Sequence, residues 1–137
     1  GKELALTLYN SDYDVVYQVA AKTGLGVFEA AEELGDGHYV IGCDVDQSGE
    51  LPGQVLGSQI TPYDTWVYAA MKDYAEGNFG GSRTEAFSMN RTEGQGFEFD
   101  TTGEVTYKDG VKEAVEEAKE KIMSGEIVPE SVREKDK

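Results

Sequence analysis

Three short apolar runs alternate with helical patterns, and that alternation limits the folds open to this chain more than any other feature of it. Asp14-Val15-Val16-Tyr17-Gln18-Val19 is β-branched and apolar, Tyr39 to Cys43 is a second such run, and Val55 to Ile60 is a third. Apolar runs without polar alternation predict strands buried on both faces. Between the first two, Val27 to Leu34 places Val27, Phe28, Ala30, Ala31 and Leu34 on one side of a helix, with Gly35 as the stop. Thr61-Pro62-Tyr63-Asp64 opens another helix, with Trp66, Val67, Ala70, Met71 and Tyr74 at helical spacing and Gly77 at its end. Helices are also predicted over residues 2–10 and from Asp109 or Gly110 through Met123. The order predicts an α/β fold: a parallel sheet flanked by helices, joined by right-handed crossovers.

Residues 78–108 read as short extended segments between turns, including Ala86-Phe87-Ser88-Met89 and Gly96-Phe97-Glu98-Phe99. The end, Glu130 to Lys137, is charged and expected to fray. The 137 residues suffice for one domain with one core.

In parallel α/β sheets, ligands bind beyond the carboxyl ends of the strands. The first such end is Gln18 to Gly26. Backbone N–H groups opening the next helix can meet an anion or hydroxyl there, and Gly24 and Gly26 permit close approach. A plain strand-to-helix turn explains the same residues. The run is no dinucleotide fingerprint, because Glu29 stands where a third glycine is needed. The second end is Asp44-Val45-Asp46-Gln47, where a carboxylate can accept two hydrogen bonds from a vicinal diol. Helix capping or loop hydrogen bonding would use the same carboxylates. Asp44, Asp46, Ser48 and Gly49 also match the opening of a calcium loop, but Val55 occupies the place of its bidentate glutamate, so no metal is expected.

With 27 acidic and 12 basic residues, the net charge of -15 repels phosphate backbones and makes nucleic acid an unsuitable partner. Cys43 and His38 are single. Cys43 ends an apolar run and reads as a structural thiol, and a Cys-His pair across one short strand would be badly arranged. Ser58, Ser82 and Ser88 lack a nucleophile-elbow context, and Asn90-Arg91-Thr92 is a chance glycosylation-type triplet. No triad, metal set or phosphate loop supports an enzyme, and no cofactor is expected.

The strings Asp14 to Ala20, Thr23-Gly24-Leu25-Gly26-Val27-Phe28-Glu29-Ala30-Ala31 and Ile41-Gly42-Cys43-Asp44-Val45-Asp46-Gln47 together resemble the second half of the basic membrane lipoprotein family. The likeness continues through Pro52-Gly53-Gln54-Val55-Leu56, Tyr63-Asp64, Tyr68 and Glu117 to Ile127. That family includes the purine nucleoside receptors of bacterial ABC importers. The resemblance implies one lobe of a type I periplasmic binding protein fold: residues 1–137 as the carboxy-terminal lobe, with 111–137 its tail helix and frayed end. It implies a small solute, a nucleoside among the candidates, and an ABC permease as partners. The setting it implies is extracytoplasmic, periplasmic or on a lipoprotein anchor, with any leader outside these residues. A ligand-sensing or protein-interaction domain of the same fold is the alternative.

By the same resemblance, Tyr17 matches the aromatic that stacks on the purine and Asp44 the acid that holds the ribose hydroxyls. Two departures bear on specificity. Ala21-Lys22 replaces a Gly-Gly pair before Thr23-Gly24, adding a cation, and Thr61 stands where the family has a sugar-contacting lysine. Tyr17, Lys22, Thr23, Gly24, Asp44 and Thr61 are therefore the candidate ligand residues. A lone lobe exposes the surface that would meet its partner lobe, which favours a homodimer.

Overall fold

A computed structural model describes residues 1–81, 89 and 95–129 of the chain. Ser82, Ser88, the Asn90-Arg91-Thr92 triplet, most of the segment at Ala86 and the charged end from Glu130 lie outside these.

The described residues form helix α1 (Lys2–Tyr9), strand β1 (Val15–Tyr17), helix α2 (Leu25–Leu34), strands β2 (Tyr39–Asp44) and β3 (Val55–Ile60), helix α3 (Tyr63–Ala75), strand β4 (Gly96–Phe99) and helix α4 (Val111–Ser124). The sheet order is β1-β2-β3-β4. The first three strands are parallel, as their apolar character predicts, with Val16 beside Val40 and Tyr17 beside Ile41. Strand β4 joins antiparallel, Ser58 opposite Glu98, so the sheet is mixed. The α/β architecture expected from the sequence is the one observed. Between Val40 and Ile41 the pairing skips Leu56, a bulge whose extra carbonyl accepts the Tyr107 hydroxyl at 2.8 Å.

One face of the sheet is packed. Val16, Val40 and Val55, one from each parallel strand, meet Val27, Phe28, Ala30 and Ala31 of α2 and Ala5 and Tyr9 of α1. Each fully buried aliphatic side chain stabilises the fold by roughly 1.5–3 kcal/mol. The alanines let α2 lie close to the strands. Polar groups are satisfied at the margin: the Tyr9 hydroxyl donates to the Tyr39 carbonyl at 2.9 Å, and the Gln54 amide donates to the carbonyls of Ala31, Gly35 and His38. The Gln54 amide thereby adds a donor at the carboxyl end of α2, where the Ala31 carbonyl also accepts the Gly35 N–H at 2.9 Å.

The other face differs from the expectation of strands covered on both sides. Tyr17 is 47% exposed, and Ile41 and Gln59 share with it a shallow apolar depression of about 370 Å³ that reaches Phe97. Beyond it, α4 borders β4 across a groove of about 510 Å³ lined by Ile60, Phe97, Phe99, Lys119 and Met123. Periodicity reports that a strand is apolar, not what covers each side of it. Helix α3 has no buried residue. No described helix is long and apolar enough to cross a membrane.

Candidate functional site

The carboxyl ends of β1 and β2 lie side by side, and their side chains converge there. Tyr17 is the last residue of β1, and its hydroxyl lies 3.9 Å from the Cys43 sulfur. Burial, the Cys43 thiol and the Asp44 charge all push the Tyr17 phenol up from its ordinary value. Asp44 ends β2 with a backbone φ of 73°. Strict alternation along β2 would send its side chain to the face of Val40, away from Tyr17. The left-handed backbone ends that alternation. Asp44 Oδ1 instead accepts the Tyr63 hydroxyl at 3.1 Å, which raises the Tyr63 pKa, and the Asp44 carbonyl accepts the Thr61 N–H at 2.9 Å. Tyr17, Cys43, Asp44 and Tyr63 therefore share one neighbourhood at the strand tips.

A polar depression of about 270 Å³ opens beside them, lined by Gln18, Ala21, Lys22, Leu25, Cys43, Asp44, Val45 and Gln47. A glutamine network forms its floor. Buried Gln18 donates from Nε2 to Gln47 Oε1 at 2.6 Å, the same oxygen accepts the Cys43 N–H at 2.9 Å, and the Gln47 N–H donates to Ser58 Oγ at 3.0 Å. These buried and half-buried groups satisfy one another, so the floor is held by the protein's own contacts. On the other side of Cys43, Gln59 Oε1 lies 3.5 Å from its sulfur, and Gln59 Nε2 donates to Thr61 Oγ1 at 2.9 Å.

The six candidates divide. Tyr17, Lys22 and Asp44 border the depressions, and Thr61 is tied to them through its backbone bond to Asp44 and its side-chain bond to Gln59. Thr23 and Gly24 line neither depression, and Gly24 is buried. A side chain at Gly24 would run into the Gln18 amide, and one at Gly26 into the backbone of Lys2. These glycines make room for the protein itself, in a 3₁₀ turn (Ala21–Gly24) and a helix start that α1 crosses closely. The plain strand-to-helix turn accounts for them. Gln18 and Gln47 fell within the two candidate strand ends, but neither they nor Gln59 and Tyr63 were among the candidate ligand residues. Gln18 carried a usable signal, being a polar residue inside an apolar run.

Asp46 takes the structural role open to it. Its Oδ1 accepts the N–H and the hydroxyl of Ser48, at 2.9 and 2.6 Å, and its Oδ2 accepts the Thr101 hydroxyl at 2.6 Å. Those bonds hold its carboxyl below the usual carboxylate range. They fasten the loop after β2 to the loop after β4. The calcium-like spacing thus belongs to a loop clasp, and among the described residues no three acids, histidines or cysteines gather to hold a metal. His38 packs edge-on to Tyr9 at 5.1 Å, at the opposite end of β2 from Cys43.

The mixed α/β sheet flanked by helices is shared with proteins of solved structure. An ABC transporter solute-binding protein from Aeropyrum pernix K1 superposes with a TM-score of 0.73 at 25% identity, over 96% of this chain and 45% of that one. A transcriptional activator of the comK gene from Bacillus halodurans shares the fold, with a TM-score of 0.76 at 22% identity over 93% of this chain and 43% of its own. The chain belongs to the Bmp family, ABC transporter substrate-binding proteins similar to PnrA, whose model matches residues 1–132. Basic membrane protein D of Borreliella burgdorferi is 40% identical over 76 residues, 56% of this chain and 22% of that protein. Basic membrane protein C of the same species is 41% identical over 75 residues, 54% of this chain and 21% of that protein. The chain thus spans less than half of the solved structures it resembles, and the aligned stretch is about a fifth of the curated relatives.

Proposed function

We propose that this chain is the carboxy-terminal, ligand-reading lobe of an ABC importer's substrate-binding protein, and that it takes a purine nucleoside or a similar small polar solute. One observation carries the reading: Tyr17 and Asp44, from neighbouring strand tips, present a π-face and a carboxylate on two separate depressions, linked through Cys43, which lines the depression of Asp44 and lies 3.9 Å from the Tyr17 hydroxyl. The Tyr17 ring offers a stacking surface for a flat base. The Asp44 carboxylate can accept hydrogen bonds from vicinal hydroxyls, and the Tyr63 hydroxyl, donating to its Oδ1 at 3.1 Å, helps hold it. Lys22, on the wall with Asp44, favours solutes that carry a partial or full negative charge near the sugar. Thr61 positions Gln59 and the Asp44 backbone rather than donating to the solute itself. Thr23 and Gly24 act through the shape of the turn.

No step in this role needs catalysis. Closure of two lobes and differential affinity suffice, with delivery to an ABC permease on the extracytoplasmic side. Good sites bury most of their ligand, and one open half-cleft cannot. The chain alone is therefore expected to bind in the millimolar range.

Amide chemical shifts in the ¹⁵N-labelled chain, titrated with guanosine or inosine, test this. The expected shifts cluster at residues 17–24, 43–47 and 61, and vanish in Asp44→Asn and Tyr17→Ala variants that keep the wild-type spectrum elsewhere. Shifts centred on another surface, or none up to the solubility limit, would overturn the assignment. Micromolar affinity for the single chain would instead overturn the need for a second lobe.

A further inference from the structure

Tyr63 opens α3, yet it reaches back to the strand tips and donates its hydroxyl to Asp44 Oδ1 at 3.1 Å. Its own place is set by its neighbours. Pro62 has φ of -78° and ψ of 72°, and the Tyr63 N–H donates to the Thr61 carbonyl at 2.8 Å, which makes residues 61–63 an inverse γ-turn. The proline ring presets the first of those angles, so the direction in which the chain leaves β3 is built in. The Trp66 N–H then donates to the Pro62 carbonyl at 3.2 Å and starts the helix. The Trp66 ring stands edge-on to the Tyr63 ring at 5.4 Å. The same turn grips Asp44 a second time, through the Thr61 N–H on its carbonyl at 2.9 Å. Backbone and carboxylate of residue 44 are therefore both held by one short junction. Tyr63 lines neither the depression of Asp44 nor that of Tyr17, so it reaches the carboxylate without bordering either opening.

We propose that Tyr63 is a positioning residue: it fixes the rotation of the Asp44 carboxylate so that both hydroxyls of a cis-diol are met at once, and thereby sets a preference for ribosides. The proposal rests on the reading of Asp44 as the acid that meets the sugar. An ionised carboxylate offers about four lone-pair sites on two oxygens. The phenol takes one of these on Oδ1, and the others stay available to the solute. Without that bond the carboxylate would turn about its side-chain torsions and meet two hydroxyls together only part of the time. The bond from phenol to carboxylate is charge-assisted, and it is the main influence that raises the Tyr63 phenol above its ordinary value.

Amide shifts of the labelled chain, titrated with inosine and with 2′,3′-dideoxyinosine, measure the preference. The wild type should bind inosine at least about tenfold more tightly, since hydrogen bonds to a charged acceptor separate the two solutes. Tyr63→Phe should cut that ratio to about threefold or less, leave dideoxyinosine binding unchanged and keep the wild-type spectrum along α3. Tyr68→Phe, at an exposed tyrosine of the same helix, should leave the ratio unchanged. In the solute-free chain the Tyr63 Cζ resonance should titrate at lower pH in Asp44→Asn than in the wild type. A Tyr63→Phe chain that keeps the full ratio, loses both solutes equally or binds inosine more tightly would overturn the role of Tyr63 and leave the site in place. A wild type without the preference, or with no shifts at residues 17–24 and 43–47, would overturn the reading of Asp44 and the role of Tyr63 with it.

Discussion

The two faces of the sheet solve opposite problems with the same strands. Toward α1 and α2, Val16, Val40 and Val55 sit against Ala30 and Ala31, and apart from Val16 these are wholly excluded from water. On the other face Tyr17, Ile41, Cys43 and Gln59 stay partly open and grade into the polar strand tips. A strand residue's contribution here depends on its parity, and stability and the proposed recognition are consequently separable by one step along the chain. The largest test of that separation is Val40→Asp, which buries an unpaired charge and should abolish the folded circular dichroism signal, while Val40→Ala costs about 2–3 kcal/mol in urea denaturation. Next is Gly24→Ala, at the border of the two regions. The new methyl displaces Gln18 from Gln47, for an expected loss of about 1–3 kcal/mol, with the amide shifts of Cys43 and Gln47 moving together.

Tyr17→Ala should lower stability by under about 1 kcal/mol while removing any solute-induced shift. A loss equal to that of Val40→Ala would erase the distinction between the faces. The smallest effect concerns acid. The fold favours ionised Asp46, so its contribution is present above the ordinary aspartate value near about 4 and fades as pH falls through the lower folded value. Urea midpoints measured across the acid range should fall less steeply for Asp46→Asn than for the wild type; parallel curves would remove the clasp from the account. At the alkaline end Tyr9, whose phenol burial pushes up to about 12, should ionise after the exposed tyrosines in a spectrophotometric titration.

The parallel strands, the helix after Pro62 and the α/β class were legible because apolar runs, a proline and stop glycines each act locally. The open second face was not, since Val15 to Val19 reads alike whether a helix, a second lobe or water lies beyond it. The helix start was left open between ligand and turn for a related reason. Gly24 and Gly26 signal a close approach, and sequence cannot tell whether ligand or protein approaches; here the neighbours are Gln18 and α1. At the site, Asp44 was readable as a strand-end residue, whereas Tyr17 entered only through the family resemblance. The glutamine floor was hidden because it joins Gln18, Gln47 and Ser58 across separate strands, and glutamines have no motif.

Asp44 adopts a backbone shape that few residues tolerate, with φ at 73°. Aspartate, asparagine and glycine enter that region at little cost, whereas valine or isoleucine would be strained whatever they touched. Position 44 therefore screens its occupants by geometry before any solute does. On the proposed role, a change of solute has few options there: keep the negative charge, trade it for an amide, or give up the side chain altogether.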